Sequence, residues 1–190
     1  MFIAIAVPCL MLAMWPGALA SFGWHAADWT HRPWTLLTAH LVHLDTRHLL
    51  ANLAALAALL WVAASLRLSA AGPRARDTIA TLGGAWVAVC AGLLSGVWEI
   101  GWYAGLSGLL YGLFAGLAFT LARRPGVGWL GLALLAGGLV KVVLDLRAGV
   151  GAVGGLGIAL VPPAHVCGFL GGLLSAIGLA RATPLRQRDR

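Results

Sequence analysis

The sequence predicts an all-α, polytopic membrane protein: one bundle of six transmembrane helices occupying residues 1–190 as a single domain. Three observations carry that reading. Of 190 residues, 61% are hydrophobic and only 10% are charged, and the mean hydropathy is +0.90, outside the range of soluble domains. Six apolar segments, at about 2–20, 48–66, 79–98, 104–121, 127–146 and 160–180, approach the length a bilayer crossing requires. The basic residues gather in alternate connections. Arg67, Arg74, Arg76, Arg123, Arg124, Arg181, Arg186, Arg188 and Arg190 are nine of the thirteen. Positive charge of this kind marks cytoplasmic loops, so both termini are expected inside. A pI near 10.7 then reports membrane topology, and no nucleic-acid partner is expected.

The first segment ends in Ala18-Leu19-Ala20, which resembles a signal-peptidase site. No Lys or Arg precedes the apolar run, and a retained helix is the favoured reading. Residues 21–47 then face outward, with Trp24, Trp29 and Trp34 read as interfacial anchors beside His25, His31, His40 and His43. Only eight residues separate Trp98 from Ser107. The helix from Ser107 to Leu121 is too short to cross a whole bilayer, so this connection is expected to dip into the membrane. Irregular backbone at that depth requires burial in protein or a wet cavity. A glycine-rich outer run, 149–157, leads to the sixth helix, which Pro162 and Pro163 open. Cys9, Cys90 and Cys167 each sit in an apolar segment and read as inert thiols. Cys167 points about 200° away from His165 on a helix and is a poor nucleophile for it.

Short polar motifs recur in the second, fourth and sixth segments: His48-Leu49-Leu50-Ala51-Asn52, Gly105-Leu106-Ser107-Gly108 and Ala164-His165-Val166-Cys167-Gly168. Ser107 precedes Arg123 by 16 residues, His165 precedes Arg181 by 16, and Asn52 precedes Arg67 by 15. At about 1.5 Å per helical residue, all three polar side chains sit roughly 22–24 Å above the arginine face of a core about 30 Å thick. Small-residue faces, Gly108, Gly112 and Gly116 against Gly168 and Gly172, allow the fourth and sixth helices to approach closely.

A serine hydroxyl becomes a nucleophile when a neutral imidazole takes its proton. Ser107 and His165 supply that pair. Among the six acidic residues, Glu99 and Asp145 lie nearest in depth, and both read as interfacial. The expectation is therefore a dyad, with Tyr111, one turn below Ser107, holding the imidazole by packing. Asn52, the only asparagine, and His48 one turn above it are candidate oxyanion donors together with the Ser107 backbone N–H. His40, His43, Asp45 and His48 could alternatively be drawn as a zinc cluster. That reading leaves Ser107 and His165 idle, and neither metal nor cofactor is expected.

These motifs, in this order, resemble the rhomboid family of intramembrane serine proteases, from about Trp34 to Leu179. The resemblance implies a rhomboid-like bundle with Ser107 as nucleophile, His165 as base, His48 and Asn52 at the oxyanion hole, Gly105 in the nucleophile motif and Tyr111 stacked on the base. Where many rhomboids carry Trp-Arg in the first outer loop, this chain has Arg32-Pro33-Trp34-Thr35. The compact core and the run His40-Leu41-Val42-His43-Leu44-Asp45-Thr46-Arg47-His48 look closest to the rhombosortase branch. That branch implies partners that are membrane-anchored proteins of a Gram-negative bacterium, ending in a Gly-Gly motif, a transmembrane segment and a basic tail. It also implies residence in the bacterial inner membrane with the active site open to the periplasm. An ordinary rhomboid protease, a catalytically inactive rhomboid-like chaperone, and a small-solute or metal transporter are the alternatives. The transporter would need polar residues spread over the full depth, and Lys141 is the main one outside the convergence.

Overall fold

The computed structural model describes residues 1–67, 74–151, 153 and 157–182. Part of the outer glycine run, residues 152 and 154–156, and the tail bearing Arg186, Arg188 and Arg190 lie outside the described residues. The chain is mostly helical: α1 (Phe2–Ala13), α2 (Ala18–Phe22), α3 (Thr35–Thr38), α4 (Thr46–Arg67), α5 (Ala75–Leu94), α6 (Ser107–Ala122), α7 (Gly128–Ala148) and α8 (Pro162–Ala182). Two short strands, β1 (Trp24–His25) and β2 (Trp102–Tyr103), pair antiparallel with Trp24 opposite Tyr103.

Four helices, α4, α5, α7 and α8, are long and apolar enough to cross a membrane, while α1 and α6 are shorter apolar helices. Large apolar side chains on the long helices, including Trp61, Val87, Leu139 and Leu174, point out of the bundle. The buried polar groups include His48, Asn52, Asp145 and His165. Apolar outside with polar groups gathered inside is the distribution a bilayer imposes.

Local chemistry sets the helix ends. Asp45 Oδ1 accepts the His48 N–H at 2.8 Å, capping the start of α4. Asp77 Oδ2 accepts the Arg74 N–H at 2.8 Å and starts α5 at Ala75, four residues before the expected span. Pro162 and Pro163 stand in the first turn of α8, where no N–H is needed. The expected continuous span 2–20 is corrected: a break between α1 and α2 contains Pro16, which has no N–H, and Gly17 at φ +75°. Trp24 is corrected too. It is 1% exposed and belongs to a core with Tyr103, Val89 and Ala164 rather than anchoring at an interface.

α6 packs against α4, α5, α7 and α8, and α5 packs against α8. Glycines make the closest approach possible. A Cβ on Gly168 would overlap the Gly108 carbonyl, one on Gly172 would overlap the Gly112 carbonyl, and one on Gly112 would stand 2.6 Å from the Gly168 oxygen. Gly116 instead faces the Thr81 side chain of α5 most closely. This packing brings the first turn of α6 against the first turn of α8.

Candidate active site

Ser107 is the first residue of α6, and His165 lies in the first turn of α8. The His165 Nε2 to Ser107 Oγ distance is 3.0 Å. Tyr111, one turn along α6, lays its ring on the imidazole with centroids 4.3 Å apart and planes at 14°. The three residues thus meet as their spacing in the sequence suggests.

The opposite edge of the imidazole departs from expectation. Asp145 of α7 is 4% exposed and lies inside the bundle. Its Oδ2 lies 3.2 Å from His165 Nδ1 and accepts the Tyr111 hydroxyl at 2.9 Å. Its Oδ1 is paired with the Lys141 ammonium, four residues back on α7. The expectation that packing alone orients the histidine is therefore corrected: a buried carboxylate contacts it directly. Glu99, the other candidate acid, is solvent-exposed at φ +48° in the α5–β2 connection.

His48 and Asn52 occupy one face of α4, one turn apart, and both are buried. A Cβ on Gly105 would stand 2.6 Å from His48 Nε2 and 3.5 Å from Asn52 Nδ2, so both groups crowd the glycine two residues before Ser107. Gly105 has φ +110°, a conformation that side chains disfavour. The Leu44 N–H lies 3.5 Å from His48 Nδ1. In the tautomer that accepts this contact, Nε2 carries the ring proton and faces Gly105 as a donor. Asn52 Nδ2 is buried with no hydrogen-bond partner among the described residues. The Ser107 N–H opens a helix and has no partner four residues back.

A supporting network that the motifs do not announce holds Gly105. The Tyr103 hydroxyl donates to the Gly105 carbonyl at 2.7 Å, and the Gly105 N–H donates to the Ala39 carbonyl at 2.8 Å. His40 Nδ1 lies 3.2 Å from the same hydroxyl, and His40 Nε2 faces the Cys90 thiol at 4.0 Å. With the phenol proton committed to Gly105, His40 Nδ1–H is the donor to Tyr103. Burial pushes the pKa of His40 down to about 3, so the ring is neutral in its pocket. The β1–β2 pair could have been suspected from the aromatic Trp24 and Trp102-Tyr103 flanks, but nothing in the spacing names their register. Among the described residues no group of three His, Cys, Asp or Glu side chains could hold a metal ion. His40 turns to Tyr103, His43 packs edge-on against His48 with centroids 5.0 Å apart, and Asp45 caps α4.

Chemically, the arrangement offers a hydroxyl against an imidazole, a carboxylate behind the imidazole, and donors beside a glycine of positive φ. Those are the parts of an acyl-transfer site. No family model matches the chain, and no curated protein matches it significantly.

Proposed function

We propose that this chain is an intramembrane serine endopeptidase of the rhomboid type, closest to the rhombosortase branch. The observation that carries the proposal is the 3.0 Å approach of His165 Nε2 to Ser107 Oγ, in a pair drawn from two apolar helices. In the proposed reaction Ser107 Oγ attacks the scissile carbonyl carbon while His165 Nε2 takes the hydroxyl proton. The oxyanion receives hydrogen bonds from Asn52 Nδ2, His48 Nε2–H and the Ser107 N–H. Collapse breaks the C–N bond, and the proton on Nε2 goes to the leaving amine. Water, deprotonated by the same imidazole, then hydrolyses the ester. The chemistry requires no metal or cofactor.

The membrane placement is part of the proposal. α4, α5, α7 and α8 would each cross the inner membrane, α1 with α2 would supply a further crossing, and α6 the sixth. At about 1.5 Å per residue, α6 spans roughly 24 Å against a core of about 30 Å. With its arginine end in the cytoplasm, Ser107 would open toward the periplasm from just below the outer surface. A substrate tail with a basic cytoplasmic end would present a Gly-Gly motif at that depth, as extended backbone. The transporter reading loses its main independent candidate, because Lys141 pairs with Asp145 beside His165.

The test is co-expression with a reporter carrying a Gly-Gly motif, an apolar span and a basic tail. Mass spectrometry of the released C-terminus should find cleavage near the glycines that vanishes in Ser107→Ala. An intact reporter beside a cleaved generic rhomboid substrate would move the chain to the ordinary rhomboid branch. Cleavage that persists in Ser107→Ala would remove the serine mechanism.

A further inference from the structure

An acidic residue and a lysine inside an apolar helix are costly unless they are used. On α7, Lys141 and Asp145 are one turn apart and ion-paired, and the carboxylate is buried where it touches His165. All three donors around the carboxylate are accounted for. Lys141 Nζ takes Oδ1, while the Tyr111 hydroxyl and His165 Nδ1 share Oδ2.

We infer that Asp145 is the positioning residue of the site, fixing which nitrogen of His165 carries the proton, and that Lys141 is its counter-ion. The inference rests on the serine-hydrolase reading above. For Nε2 to accept the Ser107 proton, the resting proton must sit on Nδ1. A carboxylate at 3.2 Å accepts that proton, and a neutral amide in its place can equally present N–H and favour the unproductive tautomer. When Nε2 takes the serine proton, the imidazolium lies against a fixed negative charge. Tyr111 serves this unit twice, its ring holding the plane of the imidazole and its hydroxyl holding the carboxylate oxygen that faces Nδ1. Lys141, with about half of its side chain exposed, neutralises the carboxylate from the outer face of α7. Its stem can reach that position because long cationic chains extend along apolar surface.

The test is the kinetics of a fluorophosphonate probe on purified protein, resolved into the maximal inactivation rate and the half-saturating concentration. Asp145→Asn is expected to lower the maximal rate by about 10²–10⁴-fold, with half-saturation within about twofold of wild type. A residue that merely supported the fold would not split the two constants in this way. Asp145→Asn/Lys141→Gln removes the uncompensated ammonium and should show the same loss at a thermal midpoint near wild type. It covers the case in which the single variant fails to fold. Glu99→Gln, at the exposed acid outside the site, should leave both constants unchanged. A folded double variant labelled within threefold of wild type overturns the assignment of Asp145 while leaving the hydrolase reading intact. Wild-type protein that takes up no probe overturns the hydrolase reading and this inference together.

Discussion

Gly105 is pressed between two demands. Its φ of +110° excludes most side chains, and the His48 ring and Asn52 amide stand where a Cβ would go. Backbone strain at such a position costs on the order of 1–3 kcal/mol for an L residue, and the methyl would push both donors away from the site. Gly105→Ala should therefore leave the protein folded but lower probe labelling of Ser107 by about 10²–10³, the usual loss for a displaced oxyanion donor. Unchanged labelling would mean that His48 and Asn52 serve packing alone. His40 makes a different prediction, about pH. An unfolded histidine takes its proton near 6.5, whereas burial holds folded His40 neutral down to about 3. The depressed value means the unfolded state binds the extra proton first. Stability is thus complete above pH 6.5 and declines by about 1.4 kcal/mol per pH unit as pH falls from there toward 3. His43, pushed down to about 4 mainly by burial and further by neighbouring His48, adds to the decline over the upper part of that window. Melting midpoints across this range should fall less steeply for His40→Gln than for wild type. Parallel slopes would contradict the buried neutral ring.

At the scale of elements, the distance between Ser107 and His165 depends on how closely α6 and α8 approach. Gly168→Val would drive a side chain into the Gly108 backbone, and overpacking of this kind costs about 1–3 kcal/mol or more. It should lower the thermal midpoint and abolish labelling together. Gly137→Ala, which meets nothing within 4 Å, should preserve both. Equal effects from the two would remove the packing argument. The glycine faces could be read directly from the sequence because their spacing of four is a property of a single helix. Element boundaries were less legible. The break at Pro16-Gly17 was hidden by the uniformly apolar letters around it, and α5 begins early because Asp77 caps the Arg74 N–H, a contact that hydropathy does not weigh. Ser107 and His165 are legible because two local motifs carry them, and Tyr111 because it follows Ser107 by one helical turn. Asp145 reaches His165 from another helix, twenty residues upstream, so its depth alone does not distinguish it from an interfacial acid. Beyond depth, its sequence signal is the Lys141–Asp145 pair at helical spacing within an apolar segment.

For the whole molecule, composition announces a membrane protein, and the arginine pattern proposes its orientation. The α4–α5 and α6–α7 connections would face the cytoplasm, and the β1 and β2 segments would face out. A membrane-impermeant thiol reagent tests this with Val97→Cys, at an exposed position beyond α5, and Arg76→Cys, at the opposite end of that helix. The first should react in intact spheroplasts and the second only after permeabilisation; the reverse pattern would invert the topology. What no reading of single segments supplies is the outer scaffold, where β1, β2 and His40 fix Gly105 through contacts between residues up to 79 positions apart. The most direct measurement is fluorophosphonate labelling of the purified protein, with the modified residue identified by peptide mass spectrometry. Ser107 activated by His165 predicts a single adduct on Ser107, absent from both Ser107→Ala and His165→Ala. An adduct that persists in folded Ser107→Ala, or a folded wild-type protein that forms none, would contradict it.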